Sequence, residues 1–209
     1  SPSDLRAGLQ SLAAALRQPA LTEAFFTAVR RGSREALERA ETDAPFVTLE
    51  LFREKVYAGH PYAHPIAGTA SGLASLERAD AEAFLERHLG PRGAVLAIAG
   101  DVAAPEFQKA ARDLFGDWKS PKSAGDPAGP RSPAGDKAQS GEFTRILSAP
   151  RSTVLVGVPA TPITDPDFYD VRLLGAALTV LSFEDMVFGR RAAFSATAVP
   201  EALRDGGAL

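Results

Sequence analysis

The segment that most constrains the fold is the apolar run Ala94-Val95-Leu96-Ala97-Ile98-Ala99, which ends at Gly100-Asp101. A short continuous apolar run closed by turn residues is typical of a strand buried on both faces. A buried strand needs hydrogen-bonding neighbours, because its backbone N–H and C=O groups cannot be left unpaired. The run therefore predicts a strand whose partners lie elsewhere in sequence.

Most of the first ninety residues have apolar side chains at helical spacing. In the last helix of this region, Phe84 and Leu85 are expected to face inward. A further helix is expected from about Pro105 to Phe115, after the apolar run. The expected helix starts before the run are at caps or turn residues: Ser3, Thr22, Asp43 and Asp80.

The stretch 119–142 is rich in Pro, Gly, Ser, Lys and Asp and has almost no apolar residues. Such a composition predicts a mobile linker between domains, because it buries too little apolar surface to offset the entropy of ordering. Two strand-like runs follow, 143–147 and 153–158, and then a helix after the turn at 164–167. Residues 194–199 are a possible additional strand.

The composition excludes several classes of protein. The 209 residues are 45% hydrophobic and 23% charged, with a net charge of −3 and no cysteine. Because there is no cysteine, disulfides and thiolate metal sites are excluded. Lys and Arg are spread along the chain, without the basic cluster that a nucleic-acid-binding protein needs. No apolar run approaches the roughly 20 residues of a membrane span. The bias to Ala, Arg, Gly and Pro suggests a bacterial source, and the compartment, cytoplasm or periplasm, stays open.

Residues 43–118 carry an ordered succession of motifs. In chain order they are Asp43-Ala44-Pro45, Tyr57-Ala58-Gly59-His60-Pro61-Tyr62-Ala63-His64-Pro65-Ile66-Ala67-Gly68-Thr69, Leu76, Asp80-Ala81-Glu82-Ala83-Phe84, Pro91, Ala94–Val102, and Phe115-Gly116-Asp117-Trp118. This succession resembles the insulinase, pitrilysin and mitochondrial processing peptidase family.

The resemblance implies an α+β fold, with helices packed on a mainly antiparallel sheet. Domains of this family come in related pairs and enclose a large chamber for peptides. Residues 1–118 would then be the back half of one such domain, and residues 143–209 the front portion of a second, joined by the linker 119–142.

The family's peptidases bind zinc through an inverted His-x-x-Glu-His motif on a helix. This chain has only His60, His64 and His88, and His60-Pro61-Tyr62-Ala63-His64 lacks the glutamate and carries a proline that suits a loop. We interpret the first two as loop histidines with local hydrogen bonds; metal ligation is the alternative. The chain alone is expected to bind no zinc and to have no catalytic residue.

The family's third zinc ligand is a glutamate on a second helix. The resemblance aligns it with Leu37, and Glu38 is one residue away. Glu38 is therefore a candidate third ligand in an intact parent protein. The other interpretation is a solvated helix face on which glutamates alternate with Arg34 and Arg39.

Peptidases of the family also use an Arg and a Tyr of the partner domain to hold substrate. The resemblance puts Phe194 in the place of the tyrosine and Val187 in that of the arginine, with Arg190 and Arg191 nearby. Phe194, Arg190 and Arg191 are thus candidate substrate-binding residues, and the missing hydroxyl would indicate a degenerate subunit.

Three functional hypotheses follow. The first is a non-catalytic segment or subunit of an insulinase-type metallopeptidase, which forms chamber wall and partner contacts. The second is a fragment of an active zinc endopeptidase whose motif lies upstream of Ser1. The third is an unrelated binding or structural protein. We expect association with another copy or a catalytic partner subunit, and contact with peptide substrate through that partner.

Overall fold

The computed structural model describes residues 4–121 and 133–209. Within them lie seven α-helices: α1 (Leu5–Arg17), α2 (Glu23–Ala40), α3 (Ala44–Val56), α4 (Ala70–Ser75), α5 (Arg78–His88), α6 (Ala104–Phe115) and α7 (Phe168–Phe183). Three short strands form one antiparallel sheet: β1 (Pro159–Ala160), β2 (Glu201–Ala202) and β3 (Gly207–Ala208). The predicted α+β class is confirmed. No helix of the described residues is long and apolar enough to cross a membrane.

Local sequence explains where the helices start. The Thr22 hydroxyl accepts a hydrogen bond from the Phe25 N–H, 3.2 Å away, at the start of α2. At the start of α5 the Asp80 carboxylate accepts from the Glu77 N–H at 2.9 Å, and the two residues form a capping box. Prolines stand in the first turn of α3 and of α6, where their missing N–H has no cost.

Contacts divide the chain into two compact units. Unit 1 contains residues up to Gly32 and those from Ser71 to Ala128; unit 2 contains Ser33–Ala70 and the residues from Gly129 on. The grouping differs from the predicted division at 118 and 143, because α3 and the loop after it pack with C-terminal residues. The predicted boundaries remain a prediction about domains.

In unit 1, α1 packs against α6. Leu9 and Ala13 of α1 and Ala110 of α6 are buried. Arg17 donates to the Leu114 carbonyl at 2.6 Å and lies 2.9 Å from the Asp117 carboxylate. The guanidinium lowers the pKa of Asp117, whose side chain is largely exposed, through a hydrogen bond and its charge.

In unit 2, the sheet order is β1-β3-β2, with Pro159 opposite Ala208 and Glu201 also opposite Ala208. A core cluster joins α3 to the sheet through four buried residues: Val56, Tyr57, Ala134 and Ala208. A Cβ at Gly207 would lie 2.5 Å from the Thr161 carbonyl oxygen, so the middle strand requires glycine there.

The predicted strand 94–99 is not a strand among the described residues, and this prediction is wrong for the chain as it stands. Its residues are exposed; Val95 is 90% accessible and Ile98 42%. The physical reason is that strand structure depends on a partner: in the described residues the run has one backbone hydrogen bond, the local turn from the Ala94 N–H to the Pro91 carbonyl at 3.0 Å, and no strand pairs with it. Phe84 was expected to face inward and is 61% exposed.

The other predicted strands are also absent over most of their length in the described residues. Residues 143–147 and 194–199 are not strands, and 153–158 pairs only at its last residue, Val158. The ladder begins one residue later, at β1. Apolar character predicts that these runs are strands, but it does not show whether another segment can form hydrogen bonds with their backbone.

The structure describes residues 119–121 and 133–142 of the predicted linker. Residues 122–132 lie outside the described residues. After them, Ala134 is buried and its N–H donates to the Asp205 carbonyl at 2.7 Å, and the Gln139 N–H donates to the Lys55 carbonyl at 2.9 Å. The C-terminal part of the predicted linker thus packs in unit 2, while the mobility of the whole remains a prediction.

Candidate functional site

The histidines singled out in the sequence lie in or near loops. His60 is buried, caps the 3-10 turn Pro61–Ala63, and its Nδ1 accepts a hydrogen bond from the Tyr62 N–H at 3.2 Å. Its Nε2 is buried without a partner in the described residues. His64 and His88 are exposed. His60 therefore makes the local hydrogen bond that the sequence interpretation expected.

These side chains do not suit the zinc ion of the parent family. One ring nitrogen of His60 is engaged with backbone, and the sequence has no glutamate at the position between His60 and His64 that would activate a water. In the described part of the chain no group of three or more His, Cys, Asp or Glu side chains is placed to hold a metal. The predicted lack of a metal site remains a prediction for the whole chain.

The candidate third ligand, Glu38, lies on the exposed face of α2. Its carboxylate is 3.4 Å from the Arg34 guanidinium one turn earlier, and both side chains are more than half exposed. Leu37, the residue aligned with the ligand, is buried. The geometry is that of a solvated ion pair, and the role of Glu38 in a longer protein remains untested.

The candidate substrate-binding residues follow α7. A π-helical turn, Glu184–Gly189, precedes Arg190, whose Nε lies 2.9 Å from the Asp185 carboxylate. Arg191 has a φ of 51°, an uncommon value for a residue other than glycine. Phe194 is 82% exposed and its ring lies 4.8 Å from the Arg151 guanidinium. In the described residues no hydrogen bond, ion pair or ring contact joins Phe194 to Arg190 or Arg191.

A polar cluster in unit 2, which sequence analysis missed, joins the recognised motif to the C-terminal strands. The Glu201 carboxylate accepts hydrogen bonds from Arg53 Nε at 3.0 Å, from Arg53 Nη2, and from the Tyr57 hydroxyl at 3.0 Å. The Tyr62 hydroxyl donates to the Asp205 carboxylate at 3.3 Å. We call these five residues, Arg53, Tyr57, Tyr62, Glu201 and Asp205, the clasp.

Burial and hydrogen bonds shift the pKa values of two clasp residues. Burial raises the pKa of Tyr57, and the Glu201 charge raises it further, so the phenol stays neutral. The hydrogen bond to Glu201 raises the pKa of Arg53 against the opposing effect of burial. The Glu201 carboxylate is thus occupied by the Arg53 guanidinium and the Tyr57 hydroxyl, and these bonds join α3 and the residue after it to β2.

Tyr57 and Tyr62 were part of the recognised motif, but their partners are more than 140 residues away. The rings of the two tyrosines meet edge to face at 5.7 Å. Such long-range pairing has no spacing signal in a single sequence. The only local hint is that Glu201 and Asp205 flank the turn before Gly206-Gly207.

A cleft of about 780 Å³ opens in unit 2 between α3 and residues 138–159. On α3 it is lined by Val47, Leu51 and Phe52 together with Thr48 and Lys55, and residues 153–158 also line it. Lys55 stands at the rim, with its ammonium 5.1 Å from the Phe143 ring. The cleft is thus lined by both apolar residues and polar ones, among them Gln139, Arg145 and Arg151.

A family model, described as the peptidase M16 inactive domain, matches residues 75–183, more than half of the chain. The chain belongs to the M16 peptidase family. This confirms the resemblance to insulinase-type peptidases that the motifs between residues 43 and 118 indicated, and it excludes the hypothesis of an unrelated protein. No curated protein matches the chain.

Solved structures share the M16 fold of this chain. A protease from Helicobacter pylori matches with a TM-score of 0.77 and 17% identity, over 100% of this chain and 52% of that one. A chain of complex III2 from Candida albicans, with Inz-5 bound, matches with a TM-score of 0.71 and 15% identity, over 100% and 52%. The periplasmic protease PqqL from Escherichia coli matches with a TM-score of 0.60 and 14% identity, over 100% and 24%.

The chain spans about half the length of the first two structures. At these identities the likeness shows the fold alone. The M16 match covers the exposed run 94–99, α6 and α7, whereas the clasp lies outside it, since its residues come before 75 and after 183.

Proposed function

We propose that the chain is a non-catalytic part of an M16 peptidase, which contributes wall to a peptide chamber and a contact surface for a partner. The 209-residue sequence contains no His-x-x-Glu-His, and the family that matches it is described as an inactive domain. Two structural neighbours are proteases and one is a chain of a larger complex, which supports both parts of the proposal.

The observation that carries the proposal is the exposed apolar run 94–99. Its six residues are all exposed, and in the described residues no backbone hydrogen bond reaches residues 95–99. An unpaired extended segment with apolar side chains is a template for pairing with further strands. We infer that a second copy or a catalytic subunit covers this run, and that peptide reaches the chain through that partner.

Light scattering across a dilution series tests the partner contact. The chain is expected to associate, and Val95→Asp to weaken association by about tenfold or more, because it places a charge in an apolar interface. The matched control is Ile66→Asp, which changes a residue that is 94% exposed and lies in unit 2. A monomer at every concentration, or an equal effect of the two substitutions, would contradict the proposal.

Metal analysis and a peptidase assay test the non-catalytic part. We expect no stoichiometric zinc and no peptide hydrolysis by the purified chain. One tightly bound zinc per chain would overturn this expectation.

The alternative is a piece of an active zinc endopeptidase whose motif lies upstream of Ser1. It requires a ligand from α2, for which Glu38 is the candidate. In a longer protein with the motif, Glu38→Gln would then lower zinc content, while Glu86→Gln on the exposed face of α5 would not. Equal zinc content in both variants would show that Glu38 is not a zinc ligand.

A further inference from the structure

Residues 133–139, in the C-terminal part of the predicted linker, connect two elements of unit 2. At one end the Ala134 N–H donates to the Asp205 carbonyl at 2.7 Å, in the turn between β2 and β3. At the other end the Gln139 N–H donates to the Lys55 carbonyl at 2.9 Å. Lys55 lies in the last turn of α3, where the carbonyls have no partner within the helix. We call residues 133–139 the strap.

Hydrogen bonds inside the strap hold it as one piece. The Ala138 N–H donates to the Gly135 carbonyl at 2.9 Å, and the Asp136 N–H donates to the Pro133 carbonyl at 3.5 Å. These bonds close within three residues, so they persist when the contacts between the strap and the rest of unit 2 break. The two ends of the strap are therefore expected to attach and detach together.

Little of the strap is buried. Of its seven residues only Ala134 is buried, where it joins the core cluster with Val56, Tyr57 and Ala208, and Ala138 packs against that cluster half-buried. The free energy of a local opening is low when the opening exposes little apolar surface and breaks few hydrogen bonds. Detachment of the strap is therefore expected at a lower free energy than opening of the sheet.

The strap lies beside the clasp and the cleft of unit 2. Both the strap and the clasp join the α3 region to residues 201–205, the strap through backbone and the clasp through side chains. Ala138 and Gln139 of the strap line the cleft of about 780 Å³. When the strap detaches, the clasp still holds residues 201–205, and the cleft loses part of its lining.

We propose that the strap opens and closes as a unit at the edge of the cleft, while the clasp and the sheet stay folded. In the closed state Ala138 and Gln139 form part of the cleft wall. In the open state the cleft is wider, and the backbone at Lys137 is accessible to a protease. The inference goes beyond the proposed function, because it concerns a movement within unit 2 and needs no second subunit.

Amide hydrogen exchange of the purified chain tests the proposal. The protection factors of the Ala134 and Gln139 amides are expected to be equal, because both amides are released by one opening. They are expected to be about tenfold or more below that of the Val158 amide, which bonds to Leu209 across the sheet. Unequal protection of Ala134 and Gln139, or protection as high as that of Val158, would contradict the proposal.

A glycine within the strap provides a matched pair of variants. Gly135 has a φ of 101°, and a Cβ there would lie 3.0 Å from the Pro159 Cβ, so Gly135→Ala strains the closed strap. The control is Gly68→Ala, also in unit 2, with a φ of 76° and nothing within 4 Å of the new Cβ. Gly135→Ala is expected to lower the protection of both strap amides about tenfold, by the same factor, and Gly68→Ala to leave it unchanged.

A second variant strains the strap from the side of the sheet. A Cβ on Gly206 would lie 2.7 Å from the Ala134 carbonyl oxygen, so Gly206→Ala is expected to lower the protection of the same two amides. Retained protection at Val158 shows that each variant is folded. Loss at one end of the strap alone, or an equal loss at Val158, would overturn the inference.

Trypsin gives an independent measurement of the same opening. Cleavage after Lys137 follows the population of the open strap when opening is fast compared with cleavage. In Gly135→Ala this cleavage is expected to accelerate by the factor found for the Ala134 amide. Cleavage after Arg145, an exposed residue of unit 2 outside the strap, is expected to keep its rate. Equal acceleration at both sites would show a general loosening of unit 2 and would contradict a separate strap.

Discussion

Two apolar runs of similar sequence character have different outcomes in this chain. The run 94–99 is exposed and pairs with no strand of the described residues, whereas the run 153–160 ends in β1, which pairs with β3. The second run has a partner because the clasp holds residues 201–205 on α3, and β3 follows two residues later. An apolar run becomes a strand where other contacts bring backbone to its edge.

The comparison also separates two kinds of stabilisation. Helix hydrogen bonds close within four residues, so α1 to α7 form wherever local sequence allows. The sheet of unit 2 depends on hydrogen bonds between residues about 50 apart, and on clasp bonds spanning more than 140. Disrupting the clasp or the middle strand should therefore affect 158–160 and leave 94–99 unchanged.

The largest effect is expected for Gly207→Ala. The added Cβ would lie 2.5 Å from the Thr161 carbonyl oxygen and 2.7 Å from that of Glu201, and both are backbone atoms that cannot move alone. We expect a loss of about 3 kcal/mol in the free energy of unfolding, measured with urea. Gly8→Ala, with nothing within 4 Å of the new Cβ, is the control and should be neutral or slightly stabilising. An equal loss in both variants would contradict the packing argument.

Glu201→Ala should have the next largest effect. It leaves Arg53 and the Tyr57 hydroxyl without their shared acceptor, and the side chains of Arg53 and Glu201 are only 24% and 23% exposed. We expect a loss of about 2 kcal/mol, discounted from the value for fully buried pairs because water reaches both groups. The amide of Val158 should exchange faster, and those of 94–99 at the same rate. Glu54→Ala, on the exposed side of α3, is the control.

The helices were largely predictable because their signals are local. The starts expected at Thr22, Asp43 and Pro105 agree with the structure to within a residue, and the helix expected at Asp80 begins at Arg78. The missed element is α4, a six-residue helix in a stretch without helical periodicity. The strands were not predictable, since apolar character marks a candidate and only a distant partner makes it a strand.

The candidate site also has features that can be predicted from the sequence and features that depend on the fold. The absence of a His-x-x-Glu-His motif can be read directly from the sequence, and so can the motif around Tyr57 and Tyr62. The hydrogen bonds of those tyrosines to Glu201 and Asp205 could not be predicted from the sequence, because they form only when unit 2 folds. The interpretation of His60 as a residue with local hydrogen bonds depended only on neighbouring residues in the sequence. In the structure, His60 Nδ1 accepts a hydrogen bond from the Tyr62 N–H.

Tyr57→Phe should lower the free energy of unfolding by about 1.5 kcal/mol at pH 7, because it removes a hydrogen bond to a carboxylate. In the folded chain the pKa of Tyr57 is raised above its ordinary value of about 10, so the native state keeps a proton that the unfolded state loses. The stabilisation by the neutral phenol is thus complete below about pH 10 and is lost as the pH rises further. The difference between wild type and Tyr57→Phe should shrink above that pH, as urea midpoints between pH 7 and 11 would show. A constant difference would indicate that burial of Tyr57 is not the cause.

The smallest effect is expected in the unpaired run itself. Val95→Ala removes two carbons from a side chain that is 90% exposed, so in the isolated chain the free energy of unfolding should change by less than about 0.5 kcal/mol. The same substitution at Val56, which is 4% exposed in the core of unit 2, should cost about 2 kcal/mol. Urea unfolding at low protein concentration measures both, since association would stabilise the folded chain by mass action. If Val95→Ala costs as much as Val56→Ala in dilute monomer, the run 94–99 is packed within the chain, and the contrast between the two apolar runs fails.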